Sequence, residues 1–395
     1  MEGKRFLRSI RLQNLLSYGP QAAEIELGPL NVLIGPNGSG KSNLIAAIDL
    51  LRSAPDDLAA TIGLGGGVDE WLWKGEGGNG PIPIARIEVS VEPAPLRYSL
   101  GFTRQGSHFH IVAETVEGTP APGWSGGPYY LYENESGQVH LRPIIPPSGP
   151  RFEQTTPPTY GTRPALNQLR GPSYPEVTYL AENFSSIGLF RTAGFGPFDA
   201  AKQPQSTDLP DGFVREDGGN LSLVIHRLQQ EEGIDALLLE KLRLLVEDVE
   251  RISTPLKGGT MQVALRLRGL RGLIPAARLS DGTLRFLSLL TILCDPNPPP
   301  LVCIEEPELG LHPDLIRSLG ALLIDAAQRT QLIVTTHSDL LVSALGDAPE
   351  SVVVCERNEQ GTELRRLDPS SMKAWLERYS LGDLWLKGEI GGTRW

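Results

Sequence analysis

Gly35-Pro36-Asn37-Gly38-Ser39-Gly40-Lys41-Ser42 fits the phosphate-loop pattern G-x-x-x-x-G-K-[S/T] without a mismatch. Its three glycines let the backbone turn tightly and point successive N–H groups inward. A phosphate fills such a nest, helped by the positive end of the helix that follows. Gly35, Asn37, Gly38, Ser39, Gly40 and the first helical residues, Lys41, Ser42 and Asn43, are therefore the candidate nucleotide-binding set. Lys41 is expected to reach the β- and γ-phosphates, and the Ser42 hydroxyl to hold Mg²⁺. The flanks agree, since residues 29–34 (PLNVLI) read as a short buried strand and residues 43–51 (NLIAAIDLL) as an apolar helix. A chance glycine turn would lack this strand–loop–helix setting. ATP is the expected ligand.

The chain has 395 residues, 40% of them hydrophobic, enough for a sizeable core in one large or two ordinary domains. A net charge of −11 argues against a protein coated in nucleic acid, although a local basic groove is compatible with it. Cys294, Cys303 and Cys355 lack metal-ligand spacing and sit in or beside apolar runs, so buried reduced thiols are expected. No run approaches about 18 apolar residues, and the N-terminus has no apolar signal core. A cytoplasmic protein without a membrane partner is the expectation.

Outward from the loop, residues 4–12 and 23–27 read as two early strands. Residues 86–91, 96–102 and 109–115 alternate apolar and polar with a period of two, and residues 129–141 look like a further hairpin turning at 135–137. Together they predict an antiparallel sheet. Residues 117–127 and 143–164, dense in Pro and Gly, carry no readable pattern. From about residue 165 the period changes. Asn220 is placed to cap a helix with Leu221, Val224, Ile225 and Leu228 on one stripe. Ile234, Leu238, Leu242, Leu245, Val249 and Ile252 predict an amphipathic helix of about five turns. Residues 261–268 return to alternation. Strands at 301–304, 331–335 and 351–355, separated by helices at 313–328 and 338–345, predict a parallel sheet with helices on both faces. Trp375, Trp385 and Trp395 crowd the last residues, where they either pack on the final helices or dock a partner.

Three further stretches carry chemistry. Arg278-Leu279-Ser280-Asp281-Gly282-Thr283 precedes an apolar helix, with Ser280 as its N-cap and Gly282 allowing close backbone approach. Residues 301–308 (LVCIEEPE) place Glu305 and Glu306 at the C-terminal end of a buried strand, where open α/β sheets keep their ligands. Adjacent acids there are costly unless a cation or proton relieves them. Glu305 suits metal coordination beside Ser42, and Glu306 suits polarising an attacking water. Thr335-Thr336-His337-Ser338 follows the next strand, putting His337 in reach of the γ-phosphate or that water.

In this order, phosphate loop, LSDGT, IEEPE and TTHS resemble the ABC-type ATPases of the SMC/RecF class, and more narrowly the RecF-like AAA family ATPases of the AAA_21 type. The phrases IRLQNLLSYG, EEPELGLHPDL and LGDLWLKGEIGGTRW extend the likeness over roughly residues 1–55 and 278–395. The resemblance implies an ABC-ATPase-like phosphate-loop α/β fold, a mixed or parallel sheet with helices on both faces, an antiparallel β part and an inserted helical lobe. It divides the chain into residues 1–164 (phosphate loop and antiparallel sheet), 165–277 (helical insertion and returning strand) and 278–395 (signature, acidic and histidine motifs). It also implies a head-to-tail homodimer in which Ser280 and Gly282 touch the γ-phosphate held by the partner's loop. Glu306 maps to the catalytic glutamate, His337 to the switch histidine and Glu305 to the metal-linked acid, with ATP and Mg²⁺ as the bound groups. Asp281 replaces a glycine of the usual LSGGQ signature. The family's Q-loop glutamine is matched best by Gln168.

The implied activity is ATP hydrolysis driving a dimeric switch in DNA repair or phage defence. DNA is a candidate partner through Arg5, Arg8, Arg11, Arg266, Arg268, Arg271 and Arg278. The stretch after Cys355 leaves no room for the TOPRIM nuclease of OLD-type proteins, so a nuclease or other effector is expected in trans. The alternatives are an ABC transporter ATPase subunit and a scaffold that binds ATP without hydrolysing it. The β-rich stretch between phosphate loop and signature disfavours the first, and the intact Lys41, Ser42, Glu305, Glu306 and His337 the second.

Overall fold

The computed structural model describes residues 2–21, 23–75, 83–120, 125, 127–135, 137–142, 161–191 and 199–392. Strands β1 (Leu7–Gln13), β2 (Ile25–Glu26) and β3 (Leu30–Ile34) lead into α1 (Lys41–Ser53), followed by α2 (Leu58–Leu64) and α3 (Val68–Trp71). Five strands come next, β4 (Ala85–Val91), β5 (Leu96–Gln105), β6 (His108–Glu117), β7 (Tyr130–Glu135) and β8 (Gln138–Leu141). Helices α4 (Ala165–Gln168) and α5 (Pro175–Ser185) precede the three-residue strand β9 (Gly188–Phe190). An inserted lobe holds α6 (Asp199–Lys202), β10 (Gln205–Ser206), α7 (Leu221–Leu228), α8 (Ile234–Leu242), β11 (Val249–Ser253), β12 (Leu256–Lys257), β13 (Thr260–Met261), β14 (Ala264–Leu267) and β15 (Leu273–Pro275). The chain closes with α9 (Asp281–Leu293), β16 (Leu301–Glu305), α10 (Pro313–Ala326), β17 (Gln331–Thr335), α11 (Asp339–Ser343), β18 (Val352–Asn358), β19 (Gly361–Arg366), α12 (Pro369–Leu376) and α13 (Leu381–Leu386).

Two large sheets organise the body, and β10–β15 of the inserted lobe form two further three-stranded sheets, β10-β13-β12 and β11-β14-β15. The first is antiparallel throughout, in the order β2-β1-β4-β5-β6-β7-β8. The second runs β19-β18-β3-β17-β16-β9, parallel except for the edge strand β19. Alternation along β3 splits its side chains between two cores: Leu30, Val32 and Ile34 face α7, α8, α9 and α10, while Leu33 faces α1, α5 and the antiparallel sheet. The parallel sheet is covered on both faces, which is why its strands read as continuous apolar runs. Phe184 on α5 clamps the second core, packing edge-to-face on Phe6 and Tyr98 with ring centroids 5.9 and 5.6 Å apart.

Two expectations are corrected. The predicted five-turn helix ends after Leu242, and Val249 and Ile252 belong to β11. A bulge between Val249 and Arg251 in the pairing of β11 with β14 brings both apolar residues to the buried face at a three-residue step, which imitates helical spacing. Asn220 does precede α7, but its side chain makes no cap. Its oxygen accepts from the Arg215 N–H, and its amide donates to the Pro210 and Phe213 carbonyls, tying the preceding loop instead. Residues from Ala165 through Phe190 stay with the central body, because α5 packs on α1 and β9 pairs with β16. The three cysteines are free and buried, and burial pushes the Cys355 thiol up to about 12. Trp385 is buried and its indole N–H donates to the Gly392 carbonyl, whereas Trp375 is half-exposed beside Tyr379. Trp395 and Ser136 of the predicted hairpin turn lie outside the described residues, as do most of 143–164. No helix among the described residues is long and apolar enough to cross a membrane.

Glu114, on β6, is buried against the start of α4. It accepts hydrogen bonds from the Ala165 N–H and the Tyr98 hydroxyl, and burial nonetheless raises its pKa to about 7. Because the folded value lies above the unfolded one, its contribution is fully present below the unfolded pKa and lost as pH rises through the folded value. Wild-type stability is expected to fall by up to about 3 kcal/mol between about pH 4.5 and 7 through this group. Urea unfolding across that window should show the fall in wild type and a flatter profile in Glu114→Gln; parallel profiles would refute the assignment.

Candidate active site

Parallel register gathers the motifs. Leu33 of β3 lies opposite Thr335 of β17, Thr335 opposite Glu305 of β16, and Ile304 opposite Phe190 of β9. With strands about 4.8 Å apart, the phosphate loop, the histidine turn, the two acids and Arg191 all emerge along one edge.

The phosphate loop is held in a form that only glycine permits. Gly35 and Gly40 have φ of 148° and 107°. A Cβ on Gly35 would lie 2.2 Å from the Cys355 carbonyl oxygen, and one on Gly40 would lie 2.2 Å from the Thr362 hydroxyl and 2.7 Å from that of Ser17. Gly38 also has positive φ, 76°, but open space around it. Outside the motif, the Thr362 hydroxyl donates to the Ser39 carbonyl and Tyr18 to the Gly40 carbonyl, while Asn43 donates to Ser17. The Lys41 ammonium donates to the Gly35 and Pro36 carbonyls, at 2.8 and 2.9 Å. The Ser39 hydroxyl is buried with no hydrogen-bond partner among the described residues, and Ser42 is exposed. A buried hydroxyl without a partner in a loop of positive-φ glycines, with the Lys41 ammonium at hand, fits a bound phosphate chain. No cluster of three or more metal-binding side chains occurs among the described residues. Ser42 lies in the first turn of α1 and Glu305 ends β16, the two residues expected from the sequence to meet at Mg²⁺.

Glu306 follows β16 with φ of 45°, a strained value for a residue with a side chain. Its N–H donates to the Thr335 carbonyl, and its own carbonyl accepts from Arg285. The turn so held brings a Glu306 carboxylate oxygen to 3.5 Å from His337 Nε2. Behind them sits Glu308, which accepts from the Thr336 hydroxyl at 2.6 Å and from the His337 N–H at 3.0 Å. Burial, and to a lesser degree the charge of Glu306, raises the Glu308 pKa.

Ser280 caps α9, accepting from the Thr283 N–H. The hydrogen bonds and ion pairs described for residues 280–282 run to Thr283, Leu284 and Lys202, none of them to residues 35–43. Lys202 of the inserted lobe pairs with Asp281, so the negative charge that replaces the usual glycine is answered within the chain. Gln168 does not join the phosphate loop. Its neighbour Asn167 donates to the carbonyls of Pro55 and Asp56, beyond the far end of α1, about 20 Å from Lys41 by helical rise. The position beside the acids is taken by Arg191, which sequence reading missed because β9 is three residues long. Arg191 pairs with Asp49 at 2.5 Å and Glu216 at 3.8 Å. Burial lowers its pKa, but Asp49, Glu216 and Glu305 more than offset that.

The sequence profile of a family described as "AAA domain, putative AbiEii toxin, Type IV TA system" matches residues 30–121 and 178–343. Among solved structures, the chain is similar to an Smc head bound to the C-terminal winged-helix domain of ScpA, with 13% identity, a TM-score of 0.59 and coverage of 93% of this chain and 99% of that one. It is also similar to an Smc head with an extended coiled coil bound to the C-terminal domain of ScpA derived from Pyrococcus furiosus, with 11% identity, a TM-score of 0.52 and coverage of 94% and 98%. At such identities the likeness establishes the fold, an α/β ABC-ATPase-like head. No curated protein matches the chain in sequence.

Gly40→Ala should weaken ATP binding at least about tenfold and cost about 1–3 kcal/mol of stability, through strain and the clash with Thr362. Gly38→Ala meets the strain without the clash and should lose less on both counts. Calorimetric titration with ATP and urea unfolding would decide; equal losses would show that backbone strain alone matters.

Proposed function

The chain belongs to this AAA-domain family and is an SMC-like ATPase in fold, and from that premise we propose that it hydrolyses ATP as a gated dimeric switch. The observation that carries the reading is Glu306, held in a strained turn with its carboxylate beside His337 at the strand edge next to the phosphate loop. Water attacks the γ-phosphorus, the bond to the β-phosphate's bridging oxygen breaks, and ADP leaves. Glu306 orients the water and takes its proton. Lys41 leaves the loop carbonyls to meet the β- and γ-oxygens, and inward N–H groups hold the charge that develops there. Ser42 and Glu305 would hold Mg²⁺, which would supply further positive charge. His337 hydrogen-bonds the γ-phosphate or the water, and Glu308 fixes its backbone. A recess of about 310 Å³ lined by Ser17, Asn43, Leu72, Trp73 and Arg357 adjoins the loop and takes the base and ribose.

Ser280 and Gly282 lack a described contact with their own phosphate loop, which supports their serving the loop of a second copy. ATP then joins two chains, and hydrolysis releases them. Repair of DNA or defence against phage, with a separate effector such as a nuclease, is the setting that fits such a switch. DNA contact is supported by Arg251 and Arg266, which face each other across β11 and β14 with Arg268 and Arg271 close by in sequence. Arg5 and Arg11 are poorer candidates, since Glu92 and Glu88 pair with them.

Glu306→Gln keeps the shape of the turn and removes the base. It should lower turnover by about 10²-fold or more and accumulate a larger species on gel filtration only with ATP and Mg²⁺. Unchanged turnover would remove Glu306 from the mechanism, and a monomer under all conditions would refute the dimeric switch. If DNA binds, its affinity should fall steeply with salt, and Arg251→Ala/Arg266→Ala should flatten that slope; an unaltered slope would place the contact elsewhere.

A further inference from the structure

α9 starts at the segment that the dimer reading docks on a partner's nucleotide, and one turn later it carries Arg285. This side chain is only 8% exposed, and its guanidinium donates to the Glu306 carbonyl at 3.1 Å. Burial lowers the pKa of this guanidinium, and the charges of Glu308 and Glu306 offset that only in part. Gly282 runs close to the same loop: a Cβ there would sit 3.0 Å from the Gly310 carbonyl oxygen. A hydrogen bond and a close backbone approach thus join the start of α9 to residues 306–310.

The loop they reach is poised. Glu306 is held at positive φ from both ends, by its N–H on Thr335 and by Arg285 on its carbonyl. Rotating out of that strain would require the arginine to let go. Glu308 continues the path. One of its oxygens holds the Thr336 hydroxyl and the His337 N–H, and the other is buried without a hydrogen-bond partner among the described residues. This buried carboxylate also interacts electrostatically with Arg285, so Arg285 meets the loop through both the Glu306 carbonyl and the charge of Glu308. A displacement of the start of α9 is carried by a rigid helical turn to Arg285, then to the Glu306 peptide.

We propose that Arg285 is a positioning residue that couples engagement of Ser280 and Gly282 at the partner's nucleotide to the alignment of Glu306 at the chain's own, so that the two sites of a dimer act together. This rests on the composite-dimer reading given above.

The test compares Arg285→Gln and Arg285→Lys with wild type. ATP turnover is measured against ATP concentration, and ATP-dependent dimer formation is measured in the Glu306→Gln background. For Arg285→Gln, kcat should fall at least about tenfold while KM for ATP stays within about twofold. The Hill coefficient should fall from above one to about one, and the ATP-dependent dimer should persist. Lysine keeps the charge and one donor, so Arg285→Lys should recover part of kcat. Wild-type kcat and Hill coefficient in Arg285→Gln would overturn the coupling, as would parallel loss of ATP binding and dimer. If both variants melt more than about 10 °C below wild type, Arg285 belongs to packing and the proposal is likewise overturned. Failure of Glu306→Gln alone to dimerise is a separate result, which removes the composite dimer itself.

Discussion

The side-by-side pairing of Leu33, Thr335 and Glu305 is the constraint on which the site depends. In a parallel sheet all C-terminal ends lie on one edge, so three loops distant in sequence must open into the same space. A one-residue slip of β17 would turn Thr335 to the other face and pull the His337 turn away from Glu306. The register is secured by burial on both faces. Leu332 and Val334 belong to one core and Ile333 to the other, so a slip would exchange the residues offered to two different packing surfaces.

That edge gathers charge as well as motifs. Asp49, Glu216, Glu305, Glu306 and Glu308 stand near Arg191, Arg285 and Lys41. The cations divide the work. Lys41 rests on loop carbonyls, Arg191 ties α1 to the inserted lobe through Asp49 and Glu216, and Arg285 ties α9 to the Glu306 turn. Asp281, the departure most at odds with a triphosphate nearby, is paired with Lys202. In a chain of net charge −11, these three cations set a local concentration of positive charge among the acids of this edge.

The parts most legible in the sequence are those where local chemistry and fold agree. A phosphate loop between a buried strand and an apolar helix, acids after LVCI, a serine before an apolar helix and alternation over residues 86–91, 96–102 and 109–115 each have a single comfortable structure. The misreadings share one cause, a tertiary contact overriding a local pattern. Val249 and Ile252 mimic helical spacing because a bulge skips a residue. Asn220 has a cap's identity but spends its side chain on the preceding loop. Strand β9 has three residues, too few to show a period, and exists because β16 offers it a parallel edge. Gln168 lay at a plausible point in sequence, while the start of the strand that counts came twenty residues later.

The amino-acid order by itself determined a glycine-rich turn between a buried strand and a helix, with acids at the end of another buried strand, because turn geometry and apolar periodicity act over a few residues. Only the tertiary structure decided what surrounds them. It put Thr362 and Tyr18 behind the loop, Arg191 beside Glu305, and Arg285 on the carbonyl of Glu306. Those contacts join residues up to hundreds of positions apart, and their geometry is set by strand register and helix packing, which no local pattern encodes.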